Sequence, residues 1–154
     1  MNKRLTKRFI IKSLDNLNLS SSIRYERYYI NDNLRIQKKA EKYEKEILDE
    51  NNVLVKKEKI SKEEFDGLKE KAYKEIIRDS YLYLDDEKIS IKQYYGTYEG
   101  LLRVEVEFIT KEEMENYQKE PWMGTEITNT PLAFDKDLSK LDKEKFLEVL
   151  SSVL

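Results

Sequence analysis

The sequence predicts an α+β protein: an antiparallel sheet of about eight strands, strongly curved or closed into a β-barrel, with flanking helices and a C-terminal helix. Three observations carry this reading. Short runs rich in aromatic and β-branched residues recur along the chain, bounded by clusters of Asn, Asp, Ser and Gly. Helical signals appear singly between those runs. Most links are too short for the crossovers that parallel strands require. The length, 154 residues, matches a single domain spanning residues 1–154, and no internal repeat or linker divides it.

The elements follow in order. Lys7 to Lys12 (KRFIIK) reads as a strand, and the Asp15–Asn18 and Ser20–Ser22 stretches read as loop. Ile23 to Ile30 (IRYERYYI) is the second strand, closed by a turn at Asn31-Asp32-Asn33. Leu34 to Lys38 and Lys42 to Asp49 form a hairpin, and Val53 to Ile60 is the fifth strand. Ser61-Lys62-Glu63-Glu64 is a capping box, and Phe65, Leu68 and Ala72 then recur at helical spacing, which predicts a helix over Lys62 to Lys74. Ile76 to Leu84, Lys88 to Tyr95 and Leu102 to Ile109 (LRVEVEFI) supply the remaining strands. Thr110-Lys111-Glu112-Glu113 opens a short helix to about Gln118. Leu138 to Leu154 carries the spacing of an amphipathic helix, one that caps the barrel or pairs with a second subunit as a homodimer.

Composition removes several classes of chemistry. There is no Cys and no His, which excludes disulfide frameworks, zinc–thiolate sites, Cys nucleophiles, Ser-His-Asp triads and His-ligated metals. A metal would have to sit on carboxylates, carbonyls and water, which favours Mg²⁺, Mn²⁺ or Ca²⁺. No apolar run approaches the length of a membrane span, and the N-terminus lacks the apolar segment of a secretory signal, so a soluble cytoplasmic protein is expected. With 29 Lys and Arg against 31 Asp and Glu, the net charge of −2 gives no global attraction to nucleic acid, and no sequence-specific nucleic-acid partner is expected. Charged residues alternate with apolar ones along many strands. They form either a solvated outer face or the lining of a charged tunnel.

Two segments favour the tunnel. One is Val104-Glu105-Val106-Glu107-Phe108, followed by an acidic helix. The other, thirteen residues further on, is Trp122-Met123-Gly124-Thr125-Glu126-Ile127-Thr128, of the form W-x-G-x-E-[IV]-T. This order resembles the CYTH family, also called triphosphate tunnel metalloenzymes, over roughly Arg4 to Leu138. The single helix after the fifth strand fits it as well. Arg78, fourteen residues before Lys92, keeps the spacing between a tunnel Arg and a later tunnel Asp in that family.

The resemblance implies an eight-stranded antiparallel barrel open as a tunnel. In active members, basic side chains hold a triphosphate, and glutamates from a first-strand E-x-E-x-K motif and from later strands hold divalent cations. This sequence departs from that pattern. Arg4-Leu5-Thr6-Lys7-Arg8 stands where E-x-E-x-K would be. Val55 and Lys57 replace a second glutamate pair, Lys92 replaces the tunnel Asp, and Pro131-Leu132-Ala133-Phe134 replaces a basic cluster. The resemblance therefore assigns Arg4, Arg8, Arg35, Lys57, Arg78 and Lys92 to ligand binding, with Arg24 or Arg27 as additions. Glu105 and Glu107 are the remaining metal ligands, for Mg²⁺ or Mn²⁺. Glu44 and Glu46 form a second alternate pair, read either as substitute ligands or as a solvated edge. Glu126 and Trp122 are read as structural, and the tyrosines at 25, 28, 29, 81, 83, 94, 95 and 98 mostly as sheet packing.

Three functions follow. One is a divergent member that binds a phosphorylated small molecule (a nucleotide, a signalling nucleotide or a polyphosphate) in a basic tunnel, with triphosphatase activity lost or altered, acting as a sensor or sequestering protein. The second is a divalent-metal-dependent phosphohydrolase, lyase or cyclase acting on a nucleotide or triphosphate. The third is a scaffold with a protein partner.

Overall fold

A computed structural model describes residues 5–154 of the chain. These residues form an eight-stranded antiparallel sheet: β1 (Thr6–Ile10), β2 (Ile23–Tyr29), β3 (Leu34–Lys39), β4 (Lys42–Leu48), β5 (Leu54–Lys59), β6 (Lys74–Tyr83), β7 (Asp86–Tyr95) and β8 (Leu102–Glu107). Four helices accompany it: α1 (Lys62–Lys69), α2 (Lys111–Glu115), α3 (Asp135–Leu138) and α4 (Lys143–Val153). The spatial order is β1-β8-β7-β6-β2-β3-β4-β5. The sheet is strongly curled into a tunnel-like form, but hydrogen bonds do not close it, and β1 and β5 are its edges. The curl brings distant strands together: Arg27 of β2 and Arg103 of β8, three places apart in the order, reach one carboxylate, Asp135. Among the described residues no helix is long and apolar enough to cross a membrane.

The sheet faces divide by the strand period of two. Apolar side chains point outward and are covered there. Phe9, Ile11, Ile91, Val104, Val106, Phe108 and Met123 form one outer layer, backed by Leu14, Leu17, Met114, Tyr117 and Trp122. Tyr28, Ile36, Ile60 and Phe65 form a second, where α1 lies over β2 and β3. A third cluster joins the strands to the C-terminal segment: Ile10, Tyr29, Ile76 and Tyr94 meet Leu132, Leu138, Phe146 and Leu150. Burying one Ile, Leu or Phe side chain stabilises by about 1.5–3 kcal/mol, so these layers supply the driving force. The inner face is left to Arg8, Arg35, Arg78, Lys92, Arg103 and Glu105.

Three helix boundaries differ from expectation. The capping box holds, with Ser61 Oγ accepting from Glu64 N at 3.0 Å, but α1 ends at Lys69 and not at Lys74. Tyr73 N instead donates to Tyr29 O at 3.0 Å and Lys74 enters β6, so pairing with β2 takes the residues the helix would have used. The helix opened by Thr110 stops at Glu115. The expected helix over Leu138 to Leu154 is broken into α3 and α4. Leu141 N turns back to Leu138 O at 2.9 Å, and Asp142 starts a new helix by accepting from Lys145 N at 2.8 Å. That break lets Leu138 and Phe146 enter the same core.

The W-x-G-x-E-I-T stretch covers the edge of β1. Gly124 N donates to Ile10 O at 2.7 Å, Ile10 N to Thr125 O at 2.8 Å, and Ile127 N to Arg8 O at 2.8 Å. Covering an edge strand removes its free hydrogen-bonding groups from intermolecular pairing. Trp122 packs on Tyr83 with ring centroids 4.9 Å apart, and exposed Glu126 accepts from Thr128 Oγ1 at 2.7 Å. Gly124 is required by proximity: a Cβ there would lie 2.9 Å from both Cγ2 and O of Ile10. Gly124→Ala is therefore expected to destabilise the fold by about 1–3 kcal/mol, the usual cost of overpacking, read as a lower urea midpoint with an unchanged slope.

Candidate functional site

The inner face carries the charge. On β8, Arg103, Glu105 and Glu107 alternate with outward-facing Val104 and Val106. Pairing sets Arg8 of β1 opposite Glu105, Lys92 of β7 opposite Arg103, Arg78 of β6 opposite Tyr94, Arg27 of β2 opposite Gln37, and Arg35 of β3 opposite Glu46. Three groups result.

In the first, Arg8 Nη2 lies 3.2 Å from Glu105 Oε1, and Lys92 Nζ lies 3.6 Å from Glu105 Oε2 and donates to Ser90 Oγ at 2.8 Å. Thr6 Oγ1 accepts from Arg8 Nη1 at 2.7 Å, and the Phe134 ring stacks on the Arg8 guanidinium at 4.2 Å. In the second, Arg35 Nε donates to Glu46 Oε1 at 2.8 Å, and Lys57 Nζ lies 3.4 Å from Glu44 and 3.8 Å from Glu46. Lys57 is the accessible member, its side chain 41% exposed.

The third group is built on Asp135. Its Oδ2 accepts from Arg27 Nη1 at 2.8 Å and Arg78 Nε at 3.1 Å, and its Oδ1 from the Tyr94 hydroxyl at 2.6 Å and Arg103 Nη2 at 3.4 Å. Arg103 also donates to Tyr94 Oη and to Ala133 O. Burial alone would push the Asp135 carboxyl up; the charges of Arg78, Arg27 and Arg103 outweigh it and hold it well below the usual carboxylate range.

The residues expected to bind ligand are thus placed as follows. Arg4 lies outside the described residues. Arg8 and Lys92 share Glu105, Arg35 and Lys57 share Glu46, and Arg78 belongs to the Asp135 group. Arg24 points outward to Asp79 at 2.6 Å, while Arg27 points inward. Asp135 and Arg103 were not singled out from the sequence. Arg103 was legible in principle, because it precedes Glu105 by two and so shares its face. Asp135 has no local signal; a segment distant in sequence delivers it.

Glu105 and Glu107, the pair expected to hold a metal, share the inner register of β8. Glu105 is buried between a guanidinium and an ammonium, and Glu107, opposite Thr6, is exposed. Among the described residues no three acidic side chains are placed to hold a metal ion. This donor set suits carboxylate–cation pairing and does not fit Mg²⁺ or Mn²⁺.

Among the described residues, the buried and half-buried charges on this face do not balance. Arg8, Arg27, Arg35, Lys39, Arg78, Lys92 and Arg103 stand against Glu44, Glu46, Glu105 and Asp135. A surface cavity of about 520 Å³ lies outside it, lined by Thr128, Asn129, Thr130, Pro131, Phe134, Asp137, Lys140 and Leu141.

Fold and site together define a tunnel protein with a cation-rich inner face. No family model and no curated protein matches the chain. Two solved structures share its fold at 18% identity. One, described as the hypothetical protein NE1496, has a TM-score of 0.74 and covers 91% of this chain and 99% of its own. The other, described as the inorganic triphosphatase NE1496, has a TM-score of 0.73 and covers 90% and 95%. At that identity the likeness is one of fold, and it agrees with the eight-stranded antiparallel tunnel that the VEVEF and WMGTEIT segments imply.

Lys92 gives this site a pH signature. Burial pushes its ammonium down to about 7; Glu105 opposes the shift, and Arg78 and Arg103 add to it. The unfolded chain keeps that proton up to the ordinary lysine value of 10.5. Between the two values the unfolded state binds more protons, so this group makes stability rise with pH. Urea midpoints are expected to increase from pH 7 to 9, and Lys92→Met to flatten that slope while raising the midpoint at pH 7.

Proposed function

We propose that this chain binds a phosphorylated small molecule (a nucleotide, a signalling nucleotide or a polyphosphate) on the cation-rich inner face of its tunnel, by side-chain charge and without a divalent metal. It serves as a sensor or sequestering protein and not as a metal-dependent triphosphatase. The observation that carries the reading is the surplus of buried and half-buried Arg and Lys over carboxylates. Removing a charge from water costs several kcal/mol, and cations that share too few carboxylates favour an additional anion beside them. Phosphate oxygens suit it, since Arg binds them through paired N–H donors and Lys as a point charge. The fold shared with a protein described as an inorganic triphosphatase supports the same ligand class. Glu105, held between Arg8 and Lys92, supports the metal-free form.

Calorimetry in EDTA with inorganic pyrophosphate, inorganic triphosphate and ATP tests this. At least one is expected to bind and to be recovered intact. A charged hydrogen bond contributes about 1.5–3 kcal/mol, so Lys57→Ala and Lys92→Gln are each expected to weaken binding about tenfold or more. Turnover that requires Mg²⁺ or Mn²⁺ and vanishes in Glu107→Ala would overturn the reading in favour of an enzyme. The absence of binding by any phosphorylated compound would overturn it in favour of a scaffold.

A further inference from the structure

The Asp135 group has the form of an occupied anion site. Four donors from β2, β6, β7 and β8 converge on one carboxylate that the C-terminal segment carries into the tunnel. Asp135 is 4% exposed, Arg78 4% and Arg103 3%. One carboxylate is bonded to three guanidinium groups, with Glu46 adding negative charge near Arg27 and Glu105 near Arg103.

The carrier is fixed in place. Leu132, Ala133 and Leu138 around it are fully buried, and Lys136 Nζ donates to Asp49 O at 3.2 Å. Asp135 is therefore not a lid that swings clear. It is a resident anion on a rigid arm, and its side chain occupies the place where the arginines meet.

We propose that Arg27, Arg78, Arg103 and Tyr94 form an oxyanion site that the chain fills with its own Asp135 carboxylate, so that Asp135 competes with phosphate for these donors. The inference rests on the reading of the tunnel as an anion-binding surface, and deepens it. Wild-type ligands would engage the accessible cation Lys57 first, and Asp135 would cap their affinity. Removing the carboxylate opens a place for a tetrahedral oxyanion of the phosphate or sulfate class.

The test is anion rescue. Asp135→Ala and Asp135→Asn are compared with wild type by thermal melts and circular dichroism in a sulfate series, with chloride at matched ionic strength. Pyrophosphate affinity is measured in EDTA. Both variants are expected to melt lower in chloride and to recover saturably at millimolar sulfate, while wild type responds no more to sulfate than to chloride. Pyrophosphate is expected to bind Asp135→Asn at least tenfold more tightly than wild type, and adding Arg78→Gln is expected to abolish the gain. A variant unfolded in chloride that regains its native spectrum in sulfate supports the proposal equally. A folded variant that ignores sulfate beyond the chloride control overturns it, as does a variant that stays unfolded across the series. So does a gain that survives Arg78→Gln. Failure of wild type to bind any phosphorylated compound would sink the ligand reading and leave the rescue result to judge the Asp135 site by itself.

Discussion

Charge inside a curled sheet has to be paired, and the pairing organises this molecule. Each ion taken from water costs several kcal/mol, offset only by a partner in good geometry. Here cross-strand register supplies the partner. Arg35 sits opposite Glu46 and Arg8 opposite Glu105, and these register pairs are also ion pairs at 2.8 and 3.2 Å. A slip of one residue would send each charge into an apolar outer layer and each Val or Ile into the tunnel. The contacts that form the candidate site therefore also fix the strand alignment. Charge pairing here specifies the fold more than it stabilises it.

The stabilising work falls to the outside. Because the polar face is turned inward, the apolar face needs cover everywhere it would meet water. That cover accounts for the chain's non-strand segments. α1 lies over β2 and β3, the residues around Leu14, Leu17, Tyr117 and Trp122 lie over β1, β7 and β8, and α3 with α4 packs on Ile10, Tyr29, Ile76 and Tyr94. It also explains how a chain only 39% hydrophobic and 39% charged builds a core. The charged fraction is not confined to a solvated surface: Arg8, Arg78, Arg103, Glu46, Glu105 and Asp135 are buried.

Much of this was legible in the sequence, because the local signals and the global fold agree. The alternation in LRVEVEF set two faces, and the capping residues Ser61 and Thr110 start helices where their side chains accept from Glu64 N and Glu113 N. Signals failed where tertiary contacts outweighed propensity. The spacing of Phe65, Leu68 and Ala72 extended α1 too far, since pairing of β6 with β2 claims Lys74. The periodicity of residues 138–154 concealed a break, because both halves face one core. The tunnel cations could be named one by one, but their partners could not. Which carboxylate meets Arg78 depends on where a segment 57 residues away lands, and no local pattern encodes that.

A polyphosphate can be neutralised in a tunnel in two ways: by metal ions held on carboxylates, or by side-chain cations alone. The two require opposite linings, and a lining built for one disfavours the other. In this chain the first-strand position that the resemblance gives to a glutamate is Thr6, whose hydroxyl accepts from Arg8 and so orients a cation. Three buried inward carboxylates are spent on Arg and Lys: Glu46 on Arg35 and Lys57, Glu105 on Arg8 and Lys92, Asp135 on three arginines. Once each acid is bonded to a cation, its oxygens are poor ligands for Mg²⁺, which keeps waters and demands near-octahedral oxygen donors. On the proposed reading, the cations in excess are what an anion meets. The departures that the resemblance marks along the inner face would then act together: they would take away oxygen ligands for a metal and supply side-chain charge in its place.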